Sequence, residues 1–194
     1  METTALNDLI AKRRSIYPNL YTGEVVDDQI IRQMLENANW APTHGLTEPW
    51  RFKVFKGEGI RKLAEFQSEL YKTVKSARGD FDEATYLKLA TKPLKASHIV
   101  SIGMKRDAKG KIPEIEEVEA VACAVQNMYL TATAYGIGCY WGSGGVTYFD
   151  EARPFFGLGD RDKLLGFMYI GMPRIEWPEG KRAPIDQKVE WELG

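Results

Sequence analysis

The residue types in this chain that could bind or polarise a ligand lie on loops. They are the run Arg13-Arg14-Ser15, the loop histidine His44, the turn Gly142-Ser143-Gly144 and the pair Lys181-Arg182. Guanidinium forks match phosphate oxygens two at a time, and glycine-rich turns bring backbone N–H groups close to a ligand. No pair of these groups stands at a spacing that makes an acid–base or nucleophilic catalyst. Neither His44 nor His98 has a recognisable partner, and no nucleophile elbow occurs. A P-loop is excluded, because no Gly-Lys-Ser or Gly-Lys-Thr is present. The glycines at 136, 138, 142, 144 and 145 follow a long helical pattern instead of preceding one, the reverse of a dinucleotide fingerprint. Cys123 and Cys139 sit in apolar runs and read as inert core thiols; with two histidines they do not make a zinc set. What remains suits a protein that holds a cofactor and lets the cofactor react. On position alone, Arg13 and Arg14 equally suit the negative end of a helix dipole.

The elements that must position these groups are legible from periodicity. Leu6, Leu9 and Ile10 share a helical face, with Thr3 or Thr4 as its cap, and Asp27 caps a second helix carrying Ile30, Ile31, Met34, Leu35 and Ala38. The stretch from Trp40 to Phe52 is a helix-to-strand loop, shaped by Pro42 and Pro49, which push the residues before them toward extended geometry. An ordinary surface turn is the plainer reading of the same loop. Strands are expected at 50–56, 98–104, 137–141 and, centrally, 164–171. A third helix carries Ile60, Leu63, Ala64, Gln67, Leu70, Tyr71 and Val74. Lys75 to Lys95 reads as a charged, mobile excursion that is helical around 82–91 and could act as a lid. The longest helix runs from Glu114 to about Tyr135, with Gly136 as its cap, and a short one spans Phe149 to Phe156. The later turns of the long helix are apolar or small nearly all round, so part of it is expected in a subunit interface. Trp177 and Trp191 in the tail are expected to dock on something.

Composition sets bounds. The 194 residues suit one domain, and 44% hydrophobic with 27% charged is ordinary for a soluble globular protein. A formal charge of -1 gives no reason to expect nucleic acid. The N-terminus lacks a leader pattern, no apolar run approaches a membrane span and cysteines are few, so a cytoplasmic setting without membrane partners is expected.

Several motifs in order then resemble a known family. They are Arg13-Arg14-Ser15 after the first helix, Ala41-Pro42 with Pro49-Trp50-Arg51-Phe52, the helix end Gly136-Ile137-Gly138-Cys139-Tyr140-Trp141, and Leu165-Gly166-Phe167 with Ile170-Gly171 and Pro173. Together they resemble the FMN-dependent nitroreductase family, and the short length and His44 resemble its compact branch. Each motif is weak by itself, but the four in this order cover nearly the whole chain. The resemblance implies one α+β domain over residues 1–194, with a mixed, mainly antiparallel sheet flanked by helices, and a homodimer with FMN at its interface. In the family's manner, Arg13, Arg14 and Ser15 would hold the FMN phosphate and ribityl oxygens. Trp141, Gly142 and Ser143 would meet the flavin, Trp40 and His44 would reach it from the partner subunit, and Arg182 would add a contact to the phosphate. A nicotinamide contact falls on 131–136. The implied activity is ping-pong transfer of a hydride from NADH or NADPH through flavin N5 to a small electron-poor acceptor, a nitroaromatic or quinone. A flavin- or ligand-binding protein without turnover is the alternative, and a cofactor-free structural dimer is a third. The chain departs from many relatives at Leu46 and Glu48, where amides are common, and at Trp40 and Gly142, where arginines are common. Those departures are expected to weaken flavin binding or make the flavin harder to reduce.

Overall fold

A computed structural model describes residues 3–194. Four antiparallel strands form one sheet in the order β1-β2-β4-β3: β1 Trp50–Lys56, β2 His98–Met104, β3 Gly138–Gly142 and β4 Lys163–Gly171. The expected sheet is mixed and mainly antiparallel; its antiparallel character holds, but among the described strands every pair is antiparallel and none is parallel. β2 is buried along its whole length and β4 along most of it, which is what an interior strand with helices on both faces requires.

The alternation of side chains divides the core. Val100, Ile102, Met104, Met168, Ile170 and Cys139 face helices α2 (Asp28–Ala38) and α5 (Glu114–Ala134). Ile99, Leu164, Phe167 and Tyr169 face α3 (Glu58–Arg78) and the turns around Phe149 and Phe156. Asp27 caps α2 as expected, its carboxylate accepting the Gln29 N–H at 2.8 Å. Gly136, at φ 70°, closes α5 in the left-handed conformation that glycine adopts without cost.

Several expectations need correction. Helix α1 (Thr3–Lys12) already includes Thr3 and Thr4, so neither stands outside it as a cap. The charged 75–95 stretch is helical around 82–91 as expected, in α4 (Glu83–Thr91), but holds more helix than that: α3 continues to Arg78, Gly79 ends it at φ 75°, and α4 packs beside it. Its surface turns lack apolar periodicity because they lie in solvent. Cys123 is exposed on α5, so only Cys139 is a core thiol; burial pushes that thiol well above the usual range. Trp177 docks, its indole N–H donating to the Lys12 carbonyl, whereas Trp191 is exposed.

A bulge in β4 matters for the site. Ile102 pairs with Gly166 and Gly103 with Leu164, which leaves Leu165 without a partner in the ladder. Gly166 takes φ 124°, and a Cβ there would lie 2.4 Å from the Gly142 carbonyl oxygen, so the bulge needs glycine. The Leu165 carbonyl is thereby free to accept the Trp141 indole N–H at 3.0 Å.

Candidate functional site

Helix α1 ends at Lys12, and the chain then runs beside the edge strand β3, fixed by the Ile16 N–H donating to the Cys139 carbonyl at 2.8 Å. Arg13, Arg14 and Ser15 are held between these two anchors. Arg14 is committed to structure. Its Nη1 donates to the Ala11 and Arg13 carbonyls at 2.6 and 2.7 Å, satisfying the open end of α1, and its Nε donates to the Pro178 carbonyl at 3.0 Å. The tail passes so close that a Cβ on Gly180 would sit 2.0 Å from Arg14 Nη2. By this route the tail brings Arg182 to the same place.

Arg13, Arg14 and Arg182 line one cavity of about 460 Å³ together with Gln126 and Gly180. Among the described residues no carboxylate lines it, and none pairs with any of the three arginines. Guanidinium groups gathered without a counter-charge suit a phosphate dianion, so the chain passes that test for FMN. Gln126, which also lines this cavity, was not singled out by sequence; the polar pair Gln126-Asn127 inside the apolar later turns of the long helix was the available signal.

Tyr129, in the apolar later turns of α5, joins the two halves of the site. The Arg13 guanidinium lies 5.1 Å from its ring centroid, and its hydroxyl faces the Ser15 side chain and accepts the Trp141 backbone N–H at 2.6 Å. Burial raises its pKa. From Trp141 the chain continues through Gly142 and Ser143, which line a second cavity on the far side of β3. A Cβ on Gly142 would lie 2.8 Å from the Tyr140 ring, so an arginine there would have to displace that ring.

Trp40 and His44 lie apart from the arginines. Trp40 is 85% exposed and lines a separate cavity with Asn37, Asn127 and Leu130. His44 sits with its Nδ1 2.5 Å from the Glu116 carboxylate, at the start of α5. Directly after His44, Gly45, Leu46 and Glu48 all have positive φ, at 60°, 53° and 42°. Within one chain, then, Arg13, Arg14 and Arg182 come together, Ser15 and Trp141 meet through Tyr129, and Trp40 and His44 join neither group. Of the segment expected to meet nicotinamide, Thr131, Ala132 and Thr133 are core, and Thr131 Oγ1 accepts from Asn37 Nδ2 at 2.8 Å. Only 134–136 is open to solvent.

At the start of α5, where acidic residues suit the positive end of the helix dipole, one carboxylate is drawn inward. Glu117 is buried, pairs with Arg106 and accepts the Asp107 N–H at 2.7 Å. It ties the loop after β2 to α5, whereas its neighbours Glu114 and Glu116 stay at the surface, paired with Lys163 and His44.

The family model described as the nitroreductase family matches residues 10–172. The Escherichia coli K12 protein named "Putative NAD(P)H nitroreductase YdjA" is 32% identical over 146 residues, 75% of this chain and 77% of that protein. The Bacillus subtilis protein named "Putative NAD(P)H nitroreductase YfhC" is 30% identical over 188 residues, 94% of this chain and 91% of its own length. A crystal structure of a nitroreductase-like family protein from Bacillus cereus superposes with a TM-score of 0.83 at 30% identity, covering 100% of this chain and 99% of that one. The chain belongs to the nitroreductase family.

Proposed function

We propose that this protein is an FMN-dependent oxidoreductase that uses NADH or NADPH to reduce a small electron-poor acceptor, nitroaromatic or quinone-like, in ping-pong fashion. It does so as a homodimer of one nitroreductase-like domain, residues 1–194, in the cytoplasm. The observation that carries the reading is the cavity shared by Arg13, Arg14 and Arg182, with no carboxylate among the described residues to neutralise it. The names of the relatives as NAD(P)H nitroreductases support the choice of reaction.

When bound, FMN supplies a hydride-accepting and hydride-donating centre at its N5. Arg13 and Arg182 take the phosphate, while Arg14, already bonded to α1 and to Pro178, holds the tail so that Arg182 stays in place. Ser15 turns toward the ribityl chain beside Tyr129. The Trp141-Gly142-Ser143 turn, braced by the Tyr129 hydroxyl and the Leu165 carbonyl, presents backbone groups to the ring. Trp40 and His44 of the partner subunit complete the site, which accounts for their separation from the arginines of their own chain. The open flank of α5 at Cys123 and Gln126 supports that pairing. No side chain need act as a covalent catalyst; positioning and electrostatics suffice.

The deciding experiment is a visible spectrum of protein supplemented with FMN and desalted, before and after anaerobic NADH and NADPH. Retained flavin that bleaches is the expected result and identifies the donor. Retained flavin that stays oxidised with both donors would leave a flavin-binding protein without turnover. Loss of all flavin would overturn the assignment of the arginine cavity.

A further inference from the structure

The cavity on the far side of β3 has a chemistry of its own. Its volume is about 370 Å³, near the lower end of the roughly 300–1,000 Å³ typical of ligand pockets. Helix α4 contributes Lys88 and Leu89 to it, and Lys92 follows at the helix end. The sheet contributes Tyr140, Phe167 and Tyr169. The Lys92 ammonium lies 4.5 Å from the Tyr140 ring centroid and 4.6 Å from that of Tyr169, so the two rings fix it in the wall. Gln67, which also lines the cavity, is 1% exposed, and its Nε2 is a buried side-chain donor with no partner among the described residues. An orphaned buried amide donor costs on the order of 1–3 kcal/mol, so its persistence marks a place where an acceptor is missing.

The charge is all of one sign. Among the described residues no aspartate or glutamate lines this cavity or the adjoining one, which shares Lys88, Lys92 and Tyr140 and adds Lys95. Among the described residues no carboxylate pairs with Lys88, Lys92 or Lys95. Two lysines and an unpaired amide donor, over a wall of aromatic rings, call for a ligand that is anionic at one end and flat and apolar at the other. Trp141, Gly142 and Ser143 also line the cavity, so such a ligand would lie against the turn assigned above to the flavin.

We propose that this cavity binds an aromatic acid, with its carboxylate met by Lys88, Lys92 and Gln67 Nε2 and its ring against Tyr140 and Phe167. The placing of that ring beside the cofactor rests on the flavin reading; the recognition of the acid does not. It narrows the acceptor from electron-poor aromatics in general to those bearing an acid group.

The test compares 4-nitrobenzoate with 4-nitrobenzyl alcohol, which keeps the ring and replaces the charge. Binding to the FMN-supplemented protein is measured by titration calorimetry without an electron donor, alongside the visible spectrum. A hydrogen-bonded charge pair predicts about tenfold or greater preference for the acid. Lys88→Met/Lys92→Met should abolish that preference, while Lys88→Arg, which keeps the charge, retains most of it; unchanged far-UV circular dichroism establishes folding of each. Equal affinity for the two compounds, or a preference that survives the double substitution, overturns the proposal. If the acid binds selectively but flavin is not retained, the subsite stands and the flavin reading falls. If flavin is retained and reduced but the acid has no advantage, the subsite alone falls.

Discussion

The hydroxyl of Tyr129 accepts the backbone N–H of Trp141 at 2.6 Å, and the same ring lies under the Arg13 guanidinium at 5.1 Å. One side chain on α5 thus sets the distance between the end of α1 and the turn after β3. Tyr129→Phe removes the acceptor and leaves the Trp141 N–H unpaired in a partly buried strand. The expected cost is about 1–2 kcal/mol in urea unfolding, with weaker FMN retention than wild type. Unchanged stability would mean that the hydroxyl braces nothing.

Arg13 and Arg14 are adjacent but do different work. Arg13→Ala is expected to lose most bound FMN, while stability falls by no more than about 1 kcal/mol, the worth of its contact with the Tyr129 ring. Arg14→Lys keeps the charge and loses the fork that spans Ala11 and Pro178. Hydrogen exchange at residues 179–182 should therefore accelerate in Arg14→Lys and not in Arg13→Ala. Full flavin occupancy in Arg13→Ala would refute the phosphate assignment.

Leu46 is 83% exposed and holds φ 53°, a left-handed backbone that costs a branched residue about 1–2 kcal/mol. Glycine there relieves the strain but gives back part of the gain as chain entropy. Leu46→Gly should raise the stability of dilute protein by roughly 0.5–1 kcal/mol in chemical denaturation. In the proposed homodimer the lost side chain should also weaken association in sedimentation velocity. A destabilised variant would show that the leucine makes contacts within its own chain that outweigh the strain.

The strands and the long helix were legible because their signals are local. β2 and β4 are continuous apolar runs, and α5 carries acids at one end and Gly136 at the other. The arginine cavity was legible only through motif order, since Arg13 and Arg182 meet by way of a tail that has no periodicity. What sequence hid depends on partners distant in the chain. Glu117 looked like its surface neighbours because Arg106, which draws it inward, lies on another loop. Tyr129 looked like core because most of its ring is core, and the function of its hydroxyl depends on where β3 begins. Cys123 looked buried because the residues around it are apolar, although helix rotation leaves it facing solvent. The positive φ at Leu46 and Glu48 has no sequence signal, because the residues usual at such positions are absent.

Lys92 gives the aromatic-acid site a pH signature with two opposed signs. Burial, and then the charge of Lys88, bring its pKa down from 10.5 to about 8. The groups facing it are Lys88 from α4, Lys95 beyond it, Tyr17 from the segment after α1, and Tyr140 and Tyr169 from the sheet. Of these, Lys88 disfavours its charge, and the buried Tyr169 is itself raised and stays neutral over this range. Without ligand, the unfolded chain holds the Lys92 proton up to 10.5 and the folded chain releases it from about 8, so its contribution to stability rises with pH across that window. Binding of 4-nitrobenzoate runs the other way, because the acid needs the ammonium. Its affinity should fall as pH rises through about 8, whereas 4-nitrobenzyl alcohol should bind with no such trend. In Lys92→Met both trends should flatten relative to wild type, read by calorimetry for binding and by paired thermal melts for stability. An acid affinity that stays level through pH 8 in wild type would remove Lys92 from the site.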